Sequence, residues 1–475
     1  MKHTVILSDV HLSQAQPEDP HDPLCFRYRT RAFHPDTAFA ALVDELLARH
    51  GDDEIELVFN GDVFDFDAPA VKDGAIARDE VPLDDAGSAE HARRIVTDHA
   101  TWFGAVARLL VRGHRLLVTS GNHDVELYWP GARAAIRDEL AQLCADEAAR
   151  AGVVVPDVTE RVRFRTWFHV TDDRVYVEHG SQYDFFNGWR FAMLPLTRER
   201  THIHPNLGKL AFRRTGSRMA YMNPYYEESF YISPVRTVIE FLRRYAFSRH
   251  HIARTWLFGA LRTLVDIAKH RHREDRTREA HALAREETGA TERAIAETHA
   301  LGALPAEDNM LAIARELWID RVLFIAFAVL SLVVSAVFAG LLVTAILFGA
   351  LALVFGAYEM LMPKPDIRTY DSAPPEVRRI LDIHGVRAMC LGHTHRPFGI
   401  WEDARFYGNS GSWCPAFKDL ACTQPILDGR PFLWLTTEGD RIWGGLHWWR
   451  DGAVVPEPGA TRAREANDEP ALLAS

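Results

Sequence analysis

Apolar residues follow different rhythms in different parts of this chain. In the first third, short β-type runs alternate with longer stretches of helical period. Thr4–Leu7, Glu56–Phe59 and Arg115–Thr119 read as strands, and Asp36–Arg49, Ala89–Arg112 and Ala132–Ala151 as helices. Such alternation predicts an α/β sheet with helices on its faces. Val162–Val170 and Arg174–Glu178 flank Thr171-Asp172-Asp173 and predict a hairpin. From Asn187 to Asp320 the pattern turns helical, with amphipathic stretches at Val235–Phe247 and Ile252–Ala268 and a charged, His-rich stretch at Lys269–Ala300. Strand patterns return at Ala388–Leu391, Gly399–Trp401, Arg405–Tyr407, Phe432–Thr436 and Arg441–Trp449. Beyond Pro456 the Ala, Glu, Pro and Gly content predicts a disordered tail.

Val322 to Tyr358 stands apart, with 37 residues and no charged side chain. As one helix it would be about 55 Å long, against a hydrocarbon core of ~30 Å. Two spans fit better, at roughly 322–339 and 341–358 with a break near Gly340. The alternative, a buried helical pair in a large soluble core, conflicts with the rule that soluble helices seldom stay apolar on every face. A membrane-bound protein is therefore expected. Met1-Lys2-His3 leads straight into the Thr4–Leu7 strand rather than into an export signal.

Composition narrows the class further. With 475 residues, 47% hydrophobic and 25% charged, the chain is too apolar for disorder and too long and Cys-poor for a disulfide scaffold. Its net charge of −11 argues against a nucleic-acid partner. Arg190–Asp275 is the exception, with 16 Lys/Arg against 7 Asp/Glu. Cys25, Cys144, Cys390, Cys414 and Cys422 show no paired spacing and read as reduced thiols.

Five fragments recur just past the end of a β-type run: Asp9-Val10-His11, Gly61-Asp62-Val63-Phe64-Asp65, Gly121-Asn122-His123-Asp124, Glu178-His179-Gly180 and Gly392-His393-Thr394-His395. Open α/β sheets bind ligands at that edge. Taken singly, each fragment reads as a turn, a helix cap or a hydrogen-bonded core histidine. Five of them in the same place point to a metal site. Mixed imidazole and carboxylate donors suit Mn, Fe, Zn or Ni, and no thiolate lies near enough to require a soft metal. The donors are too many for one ion and suit two, bridged by a carboxylate, the clamp used for in-line displacement at phosphorus.

These fragments, with Tyr407-Gly408-Asn409-Ser410-Gly411-Ser412-Trp413, resemble the signature of calcineurin-like metallophosphoesterases. The resemblance spans residues 4 to about 185 and 386 to about 413. It implies a metallophosphoesterase-type β-sandwich flanked by helices. Asp9, His11, Asp62 and His395 would hold one divalent ion, and Asn122, His179 and His393 the other, with Asp62 bridging. His123, held by Asp124, would protonate the leaving oxygen or stabilise the phosphoryl charge. Asp65 would orient a ligand or the Gly61 turn. A narrower resemblance, carried by Gly392–Pro397, by the His179-to-Asp184 run and by the helical insert, is to UDP-2,3-diacylglucosamine diphosphatases; this chain departs from them at His123 and Ser181.

The expected organisation is a first catalytic part at 1–186, a basic helical insert at 187–321, a transmembrane hairpin at 322–358, a second catalytic part at 359–455 and a tail at 456–475. The expected function is a membrane-associated, dinuclear-metal phosphoesterase, Mn being the first choice of ion. Its substrate would be a phosphate ester or diphosphate, lipid-linked or carried on a nucleotide diphosphate. The alternatives are a phosphoesterase for a soluble substrate and a non-catalytic membrane scaffold. Arg190, Arg198, Arg200, Arg213, Arg214 and Arg218 suit either a substrate phosphate or anionic headgroups. His270, His272, His281 and His299 read as a solvated helix face. Arg315, Arg321, Lys364 and Arg368 flank the hairpin and place both its ends, and the catalytic domain, on the cytoplasmic face.

Overall fold

The computed structural model describes residues 1–18, 27–77, 84–172, 174–214, 252–270, 275–362, 375–417 and 422–463. The expected Val235–Phe247 helix, Arg218, His272, Lys364 and Arg368 lie outside the described residues. The fold is mixed α/β. Strands β1 (Lys2–Leu7), β2 (Glu54–Asn60), β5 (Arg115–Thr119) and β6 (Val162–Arg165) pair in parallel, in that order; the short ribbon of β3 (Ala70–Lys72) and β4 (Ala75–Ala77) lies apart. Helices Asp36–His50, Asp85–Asp98, Ala100–Val111 and Pro130–Ala151 provide the crossovers. Runs such as Leu57-Val58-Phe59 and Leu116-Leu117-Val118 are buried throughout, as parallel strands covered on both faces require.

The second sheet runs β10 (Phe398–Glu402), β11 (Arg405–Asn409), β9 (Ala388–Leu391), β8 (Val175–Glu178) and β7 (Phe168–Thr171). The antiparallel meander β12 (Arg430–Glu438), β13 (Arg441–Arg450) and β14 (Ala453–Arg462) completes the first sheet by pairing β12 with β1. Ile6, Val58, Leu117 and Leu433 of one sheet meet Val177, Cys390 and Phe406 of the other in a single buried cluster, so the sheets pack face to face. Chain on both sides of the insert contributes to each sheet. Trp448 and Trp449 are buried, in keeping with sheet packing.

Three of the expected elements are corrected. The Ala89–Arg112 stretch is two helices that break at His99, whose ring is held between Asp36 Oδ2 at 2.8 Å and the Ser13 carbonyl at 3.0 Å. The 162–170 arm is split between the two sheets at Thr166-Trp167. Pro456 to Arg462 is not a disordered tail but part of edge strand β14, where proline is tolerated because one side of the strand needs no donor; 464–475 lie outside the described residues.

In the insert, Ala280, Ala284 and Ile295 cover the outer face of the second sheet at Phe168, Tyr176 and Met389. His281 and His299 are not a solvated face. His281 Nε2 lies 3.0 Å from His299 Nδ1, and His299 Nε2 lies 3.0 Å from the Arg190 carbonyl oxygen, tying two helices to the loop before them. Helices Ile319–Phe338 and Gly340–Leu361 form the apolar hairpin, turning where Gly340 has φ +82°. Both are long and apolar enough to cross a membrane, and only 6% and 0% of their apolar windows are buried. A pair of soluble core helices would be mostly buried. At its base, Arg321 clasps Glu359 through Nε at 2.6 Å and Nη2 at 3.3 Å, and the Tyr358 hydroxyl donates to Asp320.

Candidate metal centre

Parallel pairing brings the ends of β1, β2 and β5 to one sheet edge, and those of β8 and β9 to the facing edge. Every fragment singled out in the sequence hangs from one of these ends. The backbone there is strained: Asp9, His11, Asp62, His393 and His395 all have positive φ, between 51° and 71°. Non-glycine residues held in that region cost on the order of 1–3 kcal/mol each and persist only where surrounding bonds over-determine them. Such bonds are present. Val10 and His11 N–H both donate to the Asp62 carbonyl at 2.9 Å, Asp9 N–H donates to the Gly61 carbonyl at 3.1 Å, and Trp413 N–H donates to the Asp9 carbonyl at 3.2 Å. Gly61, at φ +79°, leaves room for His179: a Cβ there would stand 2.4 Å from the ring.

All seven expected ligands converge. Donor atoms of Asp9, His11 and His395 lie within 4.8 Å of one another, as do those of Asp62, His179 and His393, and those of His11, Asp62 and His123. Asn122 Oδ1 is 3.2 Å from His179 Nε2. Asp62 thus stands in two groups at once. Asp9, Asp62, Asn122 and His179 are buried, whereas the side chains of His123, His393 and His395 keep about a seventh of their surface exposed and form the open side.

Hydrogen bonds on the far side of the rings fix which nitrogen faces inward. His179 Nδ1–H donates to the Asn60 carbonyl at 3.0 Å, which leaves the Nε2 lone pair 3.2 Å from both Asp62 Oδ2 and Asn122 Oδ1. His393 Nε2–H donates to Asp184 Oδ2 at 2.9 Å and leaves Nδ1 as the basic atom. Asp9 Oδ1 is buried, with His395 Nε2 3.1 Å away. Converging lone pairs, each oriented from behind, are the arrangement that cations satisfy. The cluster is strongly polarised. Burial opposes charge on His179, yet Asp62 and Asp9 prevail and raise its pKa to about 10. Burial, with the neighbouring His123, lowers His11 to about 3.

His123 is held differently from the expectation. Its Nδ1 lies 3.1 Å from Asp67 and 3.6 Å from Asp65. Asp124 instead binds backbone: Oδ2 accepts from Val63 N at 3.0 Å and Phe64 N at 3.3 Å, and Oδ1 from Gly121 N at 2.6 Å. It therefore ties the Gly61–Asp65 turn to the Gly121–Asp124 turn, a positioning role. Burial and the nearby Asp62 raise its pKa to about 7. Burial also works against charge on His123, but Asp62, Asp65 and Asp67 overcome it and raise that pKa to about 10.

Several supporting residues escaped the sequence reading. Asp67 is fully buried beneath His123 and is gripped by Lys209 Nζ at 3.0 Å and Arg213 Nε at 2.5 Å. Both cations come from insert helix Leu207–Arg214 and also bind Glu126, each at 3.0 Å. Arg29 pairs with Asp65 at 3.1 Å. The Asp65-x-Asp67 spacing and the Asp184 position were visible signals; Lys209 gave none. Four of the six arginines read as phosphate or headgroup grips are engaged with carboxylates: Arg213 as above, Arg214 with Asp266, Arg190 with Glu307 and Asp308, Arg200 with Glu279.

No protein-family model matches the chain, and no curated protein matches it. Among solved structures it is similar to vacuolar protein sorting 29 of Cryptosporidium parvum, at 20% identity, over 18% of this chain and 41% of that one, with a TM-score of 0.14.

Proposed function

We propose that the chain is a membrane-associated, dinuclear-metal phosphoesterase of the calcineurin-like type, acting on a phosphate ester or diphosphate. The observation that carries this reading is the place of Asp62, within reach of His11 and His123 on one side and of His179 and His393 on the other. Asp9, His11, Asp62 and His395 would hold one ion, and Asp62, Asn122, His179 and His393 the second. The donors are imidazole, carboxylate and amide oxygen, which suits Mn first, then Fe, Zn or Ni. Two divalent ions so held would stabilise negative charge on a phosphoryl group and supply a nucleophile at neutral pH.

The remaining steps belong to the chain. His123, on the open side, keeps its Nδ1 proton on Asp67 and presents Nε2 to the leaving oxygen, to which it delivers a proton. Asp184 and the Asn60 carbonyl keep His393 and His179 in their binding tautomers. Asp124 holds the two turns in register.

Metal analysis of the purified chain, followed by hydrolysis of bis-p-nitrophenyl phosphate, tests the proposal. About two transition-metal ions per chain are expected, with Mn giving the best turnover. Asp62→Ala should abolish activity and lose both ions, because its carboxylate serves both. Full activity in that variant, or turnover by metal-free protein, would overturn the assignment.

A further inference from the structure

Helix Ile252–His270 has two different faces. Ala260 and Ile267 are buried in a cluster with Leu207 and Leu210 of the helix that carries Lys209, with Ile313 and Leu317, and with Ile319 at the start of the first membrane-length helix. The opposite face is exposed, and its composition is unusual for a surface in water. Phe258, Leu261 and Val265 are 56%, 41% and 48% exposed, and among the described side chains Arg262 and Lys269 are the charged residues on the same face. Asp266, the helix's one acidic residue, lies to the side and is engaged by Arg214. Nearby, Leu304 and Leu311 are 82% and 84% exposed, and Leu311 belongs to helix Met310–Glu316, whose Ile313 packs in the same cluster.

We propose that the exposed face of Ile252–His270, with Leu311 beside it, lies in the headgroup layer of the bilayer that the apolar hairpin crosses, and binds anionic lipid there. The proposal rests on the hairpin being in a membrane. Three arguments select a lipid surface as the occupant. The helix is packed onto the base of the hairpin through its buried face, because one apolar cluster includes Ala260, Ile267 and Ile319, the first residue of the span, which fixes the helix near the level of the membrane surface. Its apolar side chains flank Arg262 and Lys269, with no acidic side chain on that face among the described residues, the composition of an interfacial helix. Arg262 and Lys269 can bury their aliphatic stems among acyl chains while their charged ends reach phosphates. The same cluster reaches helix Leu207–Arg214, whose other side grips Asp67 and Glu126 beneath His123. The metal centre is thus held one helix away from the lipid surface, placed to receive a phosphate that remains attached to a lipid.

The test uses the full chain with Cys25 and Cys422 replaced by serine, reconstituted in vesicles of phosphatidylcholine and phosphatidylglycerol. Single cysteines at Leu261, Val265, Leu311, Val329 and Arg150 carry an environment-sensitive fluorophore, and lipids bearing a nitroxide near the headgroup or deep in the chain act as quenchers. The expected result is shallow quenching at 261, 265 and 311, deep quenching at Val329 within the hairpin, and none at Arg150. Arg262→Gln with Lys269→Gln, or removal of phosphatidylglycerol, should weaken the shallow quenching severalfold and leave Val329 unchanged. If Val329 is quenched but 261, 265 and 311 match Arg150, the interfacial face is overturned while membrane insertion stands. Should Val329 also escape quenching, membrane insertion fails and the inference with it.

Discussion

Asp65 and Asp67 hold the Nδ1 side of His123, and behind them Arg29, Lys209 and Arg213 hold the two carboxylates. A histidine backed in this way keeps its charge and orientation without being a metal ligand. His123→Asn is therefore expected to cost ~10²–10⁴ in turnover, the range for a general acid, with metal content near wild type. Loss of metal in step with activity would make His123 a ligand. Lys209 acts through this chain of contacts. Replacing it with Met leaves Asp67 and Glu126 buried with one cation fewer, a change that in buried ion pairs costs about 3–5 kcal/mol. We expect Lys209→Met to lower kcat with KM and metal content held. In a His123→Asn background the same change should have little further effect, because interacting residues are not additive. An equal loss in both backgrounds would assign Lys209 to stability alone. The seven candidate ligands were legible because strand-end residues are placed by the sheet they leave. Lys209 was not, since it lies in a helix of the insert and is aimed at the site only by tertiary packing.

Among the elements, the parallel strands were read correctly from unbroken apolar runs, and errors fell where neighbours decide. No local signal marks Thr166-Trp167 as the point where the chain changes sheets; Thr166 N–H donates there to Glu287 of the distant Thr277–Thr288 helix. Pro456 and Pro458 pointed away from a strand, but β14 needs hydrogen bonds on one side only. The junction of β1, β2 and β7 offers a test of how the two sheets are held. Lys2 Nζ lies 3.2 Å from Glu56 Oε2 and 3.0 Å from Thr171 Oγ1, and the Thr171 hydroxyl donates to Glu56 at 2.5 Å. Burial raises the Glu56 pKa, but Lys2 and Thr171 outweigh it and hold the carboxyl below its ordinary 4.5. A depressed carboxylate pKa contributes stability that is present above the unfolded value and is lost as pH falls through the folded one. Denaturant midpoints should therefore drop as the pH goes below 4.5, and Glu56→Gln should remove part of that dependence. Lys2→Met should shrink or reverse the acid loss, because burial is then opposed mainly by the Thr171 hydrogen bond and the Glu56 pKa rises. An unchanged profile in both variants would mean that this junction does not couple the sheets to pH.

For the molecule as a whole, the order of the chain constrains how it sits in a membrane. Asp9, His11, Asp62, Asn122 and His179 precede the apolar hairpin and His393 and His395 follow it, yet their donor atoms come together within a few ångströms. Both flanks of the hairpin must then lie on one side of the bilayer, and an odd number of crossings is excluded. The two helices have 20 and 22 residues, or about 30 Å each at the α-helical rise, enough for each to cross once. The Arg321–Glu359 clasp and the Tyr358–Asp320 bond join the start of the first helix to the end of the second, which keeps the two ends level with each other. Charge gives the expected side: Arg315 and Arg321 precede the spans and Lys364 and Arg368 follow them, and the positive-inside tendency predicts both ends, with the candidate site, on the cytoplasmic face. Cysteines introduced at Asn309 and Pro375 should both resist an impermeant maleimide in intact cells and react after permeabilisation, whereas one at Leu341, at the turn, should react from outside. Opposite accessibility at 309 and 375 would break the single-site geometry and with it the phosphoesterase reading. Reaction of both from outside would preserve the site and reverse its orientation. Release of the protein by high salt would instead show that the hairpin does not span, because two apolar helices inserted in lipid are not displaced by screening charge.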